Sequence, residues 1–135
     1  MKFDGAKVPA QGAAIVVIDD DPAVLNSLKF ALEIEGMSVL GYRTGREVLN
    51  SSSLANTGCL VIDFRLPDMD GLEVLQKLRE RKVKAPALLI TSHPNQVLRK
   101  RAADAGVHIV EKPLFGNVLI DSIREALSRP AAPTS

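Results

Sequence analysis

The sequence predicts an α/β domain built on a doubly wound, five-stranded parallel sheet with helices on both faces. Three observations lead there. Short β-branched runs alternate with helical patterns, giving five strands and five helices with no helix pattern directly following another, the order of βα units on a parallel sheet. Several runs are continuously apolar rather than alternating, as strands covered on both faces are. The 135 residues, 46% hydrophobic and 24% charged, suit one core, since single domains commonly run ~100–150 residues.

Each element has a local cause. Ile15-Val16-Val17-Ile18 is the first buried run. Asp21-Pro22 opens a helix, with Asp as N-cap and Pro at the first helical position; Val24, Leu25, Leu28, Ala31 and Leu32 form its apolar face, and Gly36 suits its C-terminal end. Met37 to Tyr42, interrupted by Gly41, is a weaker strand expected at an edge. Thr44-Gly45-Arg46-Glu47 has capping-box spacing and opens a short helix through Leu49.

Cys59-Leu60-Val61-Ile62 is the second buried run, with Asp63 at its carboxyl end. Pro67 and the Asp68-Met69-Asp70-Gly71 turn lead into a helix that turns Leu72, Val74, Leu75 and Leu78 inward. Ala87-Leu88-Leu89-Ile90 ends at Thr91, and Pro94 is expected to begin a helix closing near Ala105-Gly106. Val107 to Val110 is the last strand, ending at Lys112-Pro113. The final helix is expected from about Phe115 to Ser128, with Val118, Leu119, Ile123, Ala126 and Leu127 on one face. Residues 1–12 show no period and read as a flexible leader, residues 13–128 as the domain, and residues 129–135 as a proline-punctuated tail or truncated linker.

Lysine plus arginine (17) nearly balance aspartate plus glutamate (16), for a net charge of +1. That excludes a protein held to nucleic acid or a membrane surface by bulk charge. With only six residues after Arg129, no helix-turn-helix module is expected in this chain. A single cysteine, Cys59, excludes an internal disulfide framework and any CxxC site, and its buried run makes it a core residue. The apolar stretch Ala13 to Ile18 is too short for a signal peptide's core or a membrane span. A soluble, cytoplasmic domain without membrane contact is expected.

In doubly wound sheets, ligands bind beyond the carboxyl ends of the strands, at the switch point. The residues standing there are Asp19, Asp20 and Asp21 after the first strand, Asp63 after the third, Thr91 after the fourth and Lys112 after the fifth. Carboxylates sharing a crevice raise one another's pKa unless a cation intervenes. A hard divalent ion with oxygen ligands resolves the conflict, and Mg²⁺ fits best. A carboxylate beside it is a candidate nucleophile towards phosphorus, and a lysine and a hydroxyl supply the charge neutralisation that phosphoryl transfer needs.

Four strings in this order, Val17-Ile18-Asp19-Asp20-Asp21-Pro22, Val61 to Gly71, Ile90-Thr91-Ser92 and Glu111-Lys112-Pro113, resemble the receiver domain of two-component response regulators over about residues 13–128. The resemblance implies a flavodoxin-like (βα)5 fold with strand order 2-1-3-4-5. It implies that Asp63 accepts phosphate from a sensor histidine kinase or phosphotransfer protein in a phosphorelay. Asp20 would hold Mg²⁺ directly and Asp19 through water, alongside Asp63 and the backbone carbonyl of Arg65. Lys112 would pair with a phosphoryl oxygen, Thr91 would move to hydrogen-bond it, and the fourth helix, fifth strand and fifth helix would form the face that responds, including by homodimerisation. The resemblance further suggests a cis bond before Pro113. It departs at Ile109, where the family often has an aromatic residue; His108 points to the opposite face of the strand.

Simpler readings apply elsewhere. Asp21 is a helix cap, Asp68 and Asp70 make local turn hydrogen bonds, and His93 is exposed near the site mouth, where it and Arg65 could tune the access of water. The clusters Lys77-Arg79-Arg81-Lys82-Lys84 and Arg99-Lys100-Arg101 read as solvated helix ends and faces. Two competing functions are an interaction module that signals without phosphate, and an aspartate-nucleophile phosphatase of the haloacid-dehalogenase type. The latter needs an acid two positions after the nucleophile, where this chain has Arg65. A nucleotide-binding fold is disfavoured, because neither GxGxxG nor GxxxxGK follows the first strand.

Overall fold

A computed structural model describes residues 13–114 and 117–128; the expected leader and tail, and Phe115 at the expected start of the last helix, lie outside the described residues. The elements alternate as β1 (Ala14–Ile18), α1 (Pro22–Ile34), β2 (Ser38–Tyr42), α2 (Gly45–Leu49), β3 (Thr57–Asp63), α3 (Gly71–Glu80), β4 (Ala87–Thr91), α4 (Gln96–Ala105), β5 (His108–Glu111) and α5 (Val118–Leu127). All strand pairs are parallel, in the order β2-β1-β3-β4-β5, so the Gly41-containing strand lies at an edge as expected.

Strand alternation divides the interior in two. Val16, Ile18, Leu60, Ile62 and Leu89 point to the face covered by α2, α3 and α4 through Val48, Leu72, Leu75, Leu78 and Leu98. Ile15, Val17, Cys59, Val61, Leu88 and Ile90 point to the face covered by α1 and α5 through Leu32, Leu119 and Ile123. Covered on both sides, β1, β3 and β4 have no polar register to keep, which is why their sequences are unbroken apolar runs.

The caps explain the boundaries. The carboxylate of Asp21 accepts from the Ala23 amide, and Asp70 from the Glu73 amide, so both start the helices expected of them. α4 starts two residues later than Pro94 suggested, because the Asn95 side chain, not the proline, caps it by accepting from Leu98. It ends on Gly106 at φ +71, a left-handed conformation that glycine adopts without strain. In α1 only Leu32 is fully buried, while the rest of the expected apolar face is half-buried. Val118 is a correction. It sits at the first position of α5 and is 58% exposed, because the buried stripe of Leu119, Ile123 and Ala126 begins one residue on.

Candidate functional site

The chain leaves β1, forms the edge strand β2, and returns on the other side of β1 as β3. The helices after β1 and β3 therefore cover opposite faces, and a crevice opens between the carboxyl ends of these two strands. Register then brings the acids together. Ile18 pairs with Ile62, so Asp19 and Asp63 each stand one residue beyond the same rung. Across β3 and β4, Asp63 pairs with Ile90; across β4 and β5, Thr91 pairs with Glu111. The Lys112 amide donates to the Thr91 carbonyl at 2.8 Å, and the Lys112–Pro113 bond is cis.

The side chains converge. Asp19, Asp20 and Asp63 offer carboxylate oxygens that all lie within 4.8 Å of one another. Asp19 is 1% exposed; its Oδ1 accepts from the Asp21 amide at 2.9 Å, and its buried Oδ2 has no hydrogen-bond partner among the described residues. Asp20 is exposed above it. Asp63 is 7% exposed, its Oδ2 lies 3.6 Å from Lys112 Nζ, and its Oδ1 accepts from the Arg65 amide at 3.4 Å. Asp20, Asp63, Arg65, Thr91 and Lys112 line one cleft of about 380 Å³. His93 lines it too and is exposed, as expected. His108 is exposed and Ile109 partly buried against the α2–α4 side of the sheet, on opposite faces of β5.

Electrostatics mark these carboxylates as held against their preference. Burial pushes Asp63 above the ordinary 3.8, and the neighbouring Asp19 charge adds to the push, while Lys112 and the Arg65 amide pull it back. Burial raises Asp19 as well, offset by the Asp21 amide and Lys112 and reinforced by Asp20 and Asp21. An unpartnered buried carboxylate oxygen facing two further carboxylates is costly unless a cation completes it. The donors are all oxygens, with neither histidine nor thiolate among them, so the set fits a hard divalent cation such as Mg²⁺ and not zinc.

The match of the chain to known proteins agrees with this geometry. Residues 15–124 match the family model described as the response regulator receiver domain. The chain belongs to the response-regulator receiver domain family. Within it, this receiver is 34% identical over 111 residues to the transcriptional regulatory protein FixJ of Rhizobium meliloti (strain 1021), covering 82% of this chain and 54% of FixJ. It is 33% identical over 114 residues to the C4-dicarboxylate transport transcriptional regulatory protein DctD of Pseudomonas aeruginosa, covering 84% of this chain and 25% of DctD. The receiver thus spans about half the length of one curated relative and a quarter of the other. Among solved structures, FixJ-N superposes with a TM-score of 0.78 at 31% identity, over 90% of this chain and 98% of that one. The non-phosphorylated HemR receiver domain from Leptospira biflexa superposes with a TM-score of 0.81 at 22% identity, over 91% of this chain and 99% of that one, and shares the fold. The flavodoxin-like order 2-1-3-4-5 is therefore both observed and that of the family.

Three residues do something the sequence did not reveal, two of them on the loop and helix beside the receiver's site. Asp68 does not close a local turn; its two carboxylate oxygens accept from the Gly45 and Arg46 amides, at 3.0 and 2.8 Å, and so cap α2 from 23 residues away. Although burial opposes it, those amide bonds hold the Asp68 carboxyl below its ordinary value. Arg79 is half-buried rather than simply solvated: it donates to the carbonyls of Val83 and Ala85 and fixes the loop into β4. Arg101 leaves the α4 surface to meet Asp70 and the Phe64 ring. Turn composition and charge runs carry no signal for the long-range pairings of Asp68 and Arg101.

Proposed function

We propose that this receiver is a phosphorylation-activated signalling switch, with Asp63 as the acceptor of a phosphoryl group from a sensor histidine kinase or phosphotransfer protein in the cytoplasm. The observation that carries the reading is the placement of Asp63: a buried carboxylate at a strand end, in a cleft, with an ammonium at 3.6 Å and two further carboxylates beside it. The domain comprises residues 13–128, flanked by a leader and a tail or linker.

Asp19, Asp20, Asp63 and the backbone carbonyl of Arg65 would hold Mg²⁺, which when bound neutralises charge on phosphoryl oxygens. Asp63 attacks phosphorus through a carboxylate oxygen; the new O–P bond forms as the donor's bond to phosphorus breaks, and the electron pair leaves with the donor. Its hydrogen bond from the Arg65 amide orients the carboxylate for that attack. Lys112, already facing Asp63, transfers its pairing to a phosphoryl oxygen. The Thr91 hydroxyl donates to another, drawing with it the segment that leads into α4. On this reading the receiver is a switch with slow self-dephosphorylation rather than a turnover enzyme, with His93 at the cleft as the side chain placed to influence the access of water. The face of α4, β5 and α5 then changes and supports a homodimer.

Incubation with Mg²⁺ and acetyl phosphate, followed by intact mass, tests the acceptor. One phosphate-sized gain is expected in this receiver and none in Asp63→Asn. A gain that survives Asp63→Asn, or its absence from the unaltered chain, overturns the assignment.

A further inference from the structure

We propose that Arg101 is a positioning residue for this reaction: a strap that ties α4 to the loop carrying the phosphoacceptor and lets go when the site reacts. This rests on the phosphorylation of Asp63 proposed above. Arg101 lies in the middle of α4, yet its guanidinium reaches across the cleft mouth. Its Nη2 stands 3.3 Å from Oδ2 and 3.5 Å from Oδ1 of Asp70, and its Cζ lies 6.0 Å from the centre of the Phe64 ring. Phe64 is the residue after Asp63, and Asp70 closes the same loop, where Arg65 and Asp70 form an isolated bridge. Arg101 and Phe64 line the cleft with Asp63, Thr91 and Lys112. One cation thus fastens α4 to both ends of the acceptor loop.

The consequence is energetic. Thr91 can follow a phosphoryl group only if the segment from 91 to 95 and the start of α4 move with it. A contact made in the resting arrangement alone disfavours the reacting one by its own free energy. Asp70 and Arg101 are partly exposed, with side chains 32% and 45% accessible, so the pair and the ring contact together are modest. Their loss is expected to raise the reactive population about threefold, the scale of one exposed pair with a cation–π contact.

The strap can be cut from either end. Arg101→Ala removes the cation. Asp70→Asn removes the charge but keeps a side-chain oxygen to accept from the Glu73 amide, so α3 stays capped. Initial phosphorylation rates by acetyl phosphate, read by intact mass, are expected to rise about threefold in each variant and no further in the double variant, because both cut one link. Arg101→Lys, which keeps charge but loses the planar fork, is expected to fall between. Amide hydrogen exchange along α4 provides a second reading that needs no phosphate: exchange from Leu98 to Ala105 should quicken about threefold in both single variants, while β3 stays unchanged.

Unchanged exchange along α4 overturns the strap whether or not Asp63 proves to be the acceptor. Quicker exchange with unchanged rates, or effects that multiply in the double variant, also overturns it. A rate that falls in Arg101→Ala but rises in Asp70→Asn assigns Arg101 to attracting the anionic donor instead, and overturns the strap too. Absence of phosphorylation in the unaltered chain, with α4 exchange quickened, sinks the function proposed above and the positioning role together, whereas the strap alone fails if phosphorylation proceeds at one rate in all variants.

Discussion

At the scale of single residues, the site is built from groups that fold at a cost. Asp19 is the clearest case, being almost wholly buried with one carboxylate oxygen unpartnered among the described residues and two acids nearby. Its folded-state pKa is raised above 3.8, so between 3.8 and the raised value the folded chain holds more of this proton than the unfolded one. Stability from this group therefore falls as pH rises through that window, and the penalty persists in full above it. Below 3.8 both states are protonated and the penalty is absent. Asp19→Asn keeps an oxygen to accept from the Asp21 amide and turns the other end of the group into a donor facing Asp20 and Asp63. In chelator-treated protein at pH 7 the variant is expected to gain about 1 kcal/mol, the usual scale of a single substitution, and to gain almost nothing at pH 3. Denaturant midpoints at the two pH values check this, and a gain equal at both would place its origin in packing rather than charge. Added Mg²⁺ should reverse the order, stabilising the unaltered chain and leaving Asp19→Asn little changed, since an ion that binds only the folded state shifts the equilibrium by mass action.

At the scale of elements, close approach matters more than propensity. α3 begins at Gly71, where a Cβ would stand 2.6 Å from the Asp63 carbonyl oxygen, 2.9 Å from Leu89 and 3.0 Å from Ile62. The Gly71 amide donates to the Phe64 carbonyl at 2.8 Å, which folds the acceptor loop back onto β3. Gly71→Ala is therefore expected to destabilise by roughly 1–3 kcal/mol through overpacking against backbone, despite alanine's better helix propensity. Thermal unfolding reads the loss; a neutral or stabilising outcome would show that α3 can slide outward without strain. Such contacts explain which elements were legible. β1, β3 and β4 announce themselves as unbroken apolar runs, and Asp21, Thr44 and Asp70 cap their helices through residues two or three along the chain. α4 starts later than Pro94 suggests because the Asn95 cap decides, and Val118 falls off the buried face of α5 because the stripe begins at Leu119. Asp68 and Arg101 were misread for a deeper reason: their partners are 22 to 31 residues away, and charge patterning along the chain cannot express a distance in space.

At the scale of the whole molecule, the candidate site was legible because topology, not local sequence, assembles it. Strand order and parallel register bring four strand ends to one edge, so acids 44 residues apart in the chain, Asp19 and Asp63, meet beside the cleft that Asp63 lines with Thr91 and Lys112. The same arrangement would spread the proposed response over several elements. Thr91 ends β4 and leads into α4; Lys112 follows β5 and leads towards α5. Anything that pulls Thr91 and Lys112 inward therefore acts on α4, β5 and α5 as a group. On α4 and α5, Val97 and Val118 are 70% and 58% exposed, and Arg99 pairs with Glu111 of β5 at 3.9 Å across exposed surface. Such a mixture of exposed apolar and exchangeable charged groups suits a face that associates only when its elements are repositioned. Beryllofluoride with Mg²⁺, which mimics the phosphoryl group at a carboxylate, is expected to double the mass measured by light scattering, while Asp63→Asn stays monomeric under the same treatment. Val118→Glu should block the doubling and leave the phosphorylation of Asp63 intact, since Val118 is exposed on α5 and does not line the cleft that holds Asp63. Equal masses with and without beryllofluoride would remove dimerisation from the response without touching the acceptor. Doubling that survives Val118→Glu would move the interface to the other large exposed apolar pair among the described residues, Phe30 and Ile34 on α1, and so separate the face that responds from the face that associates.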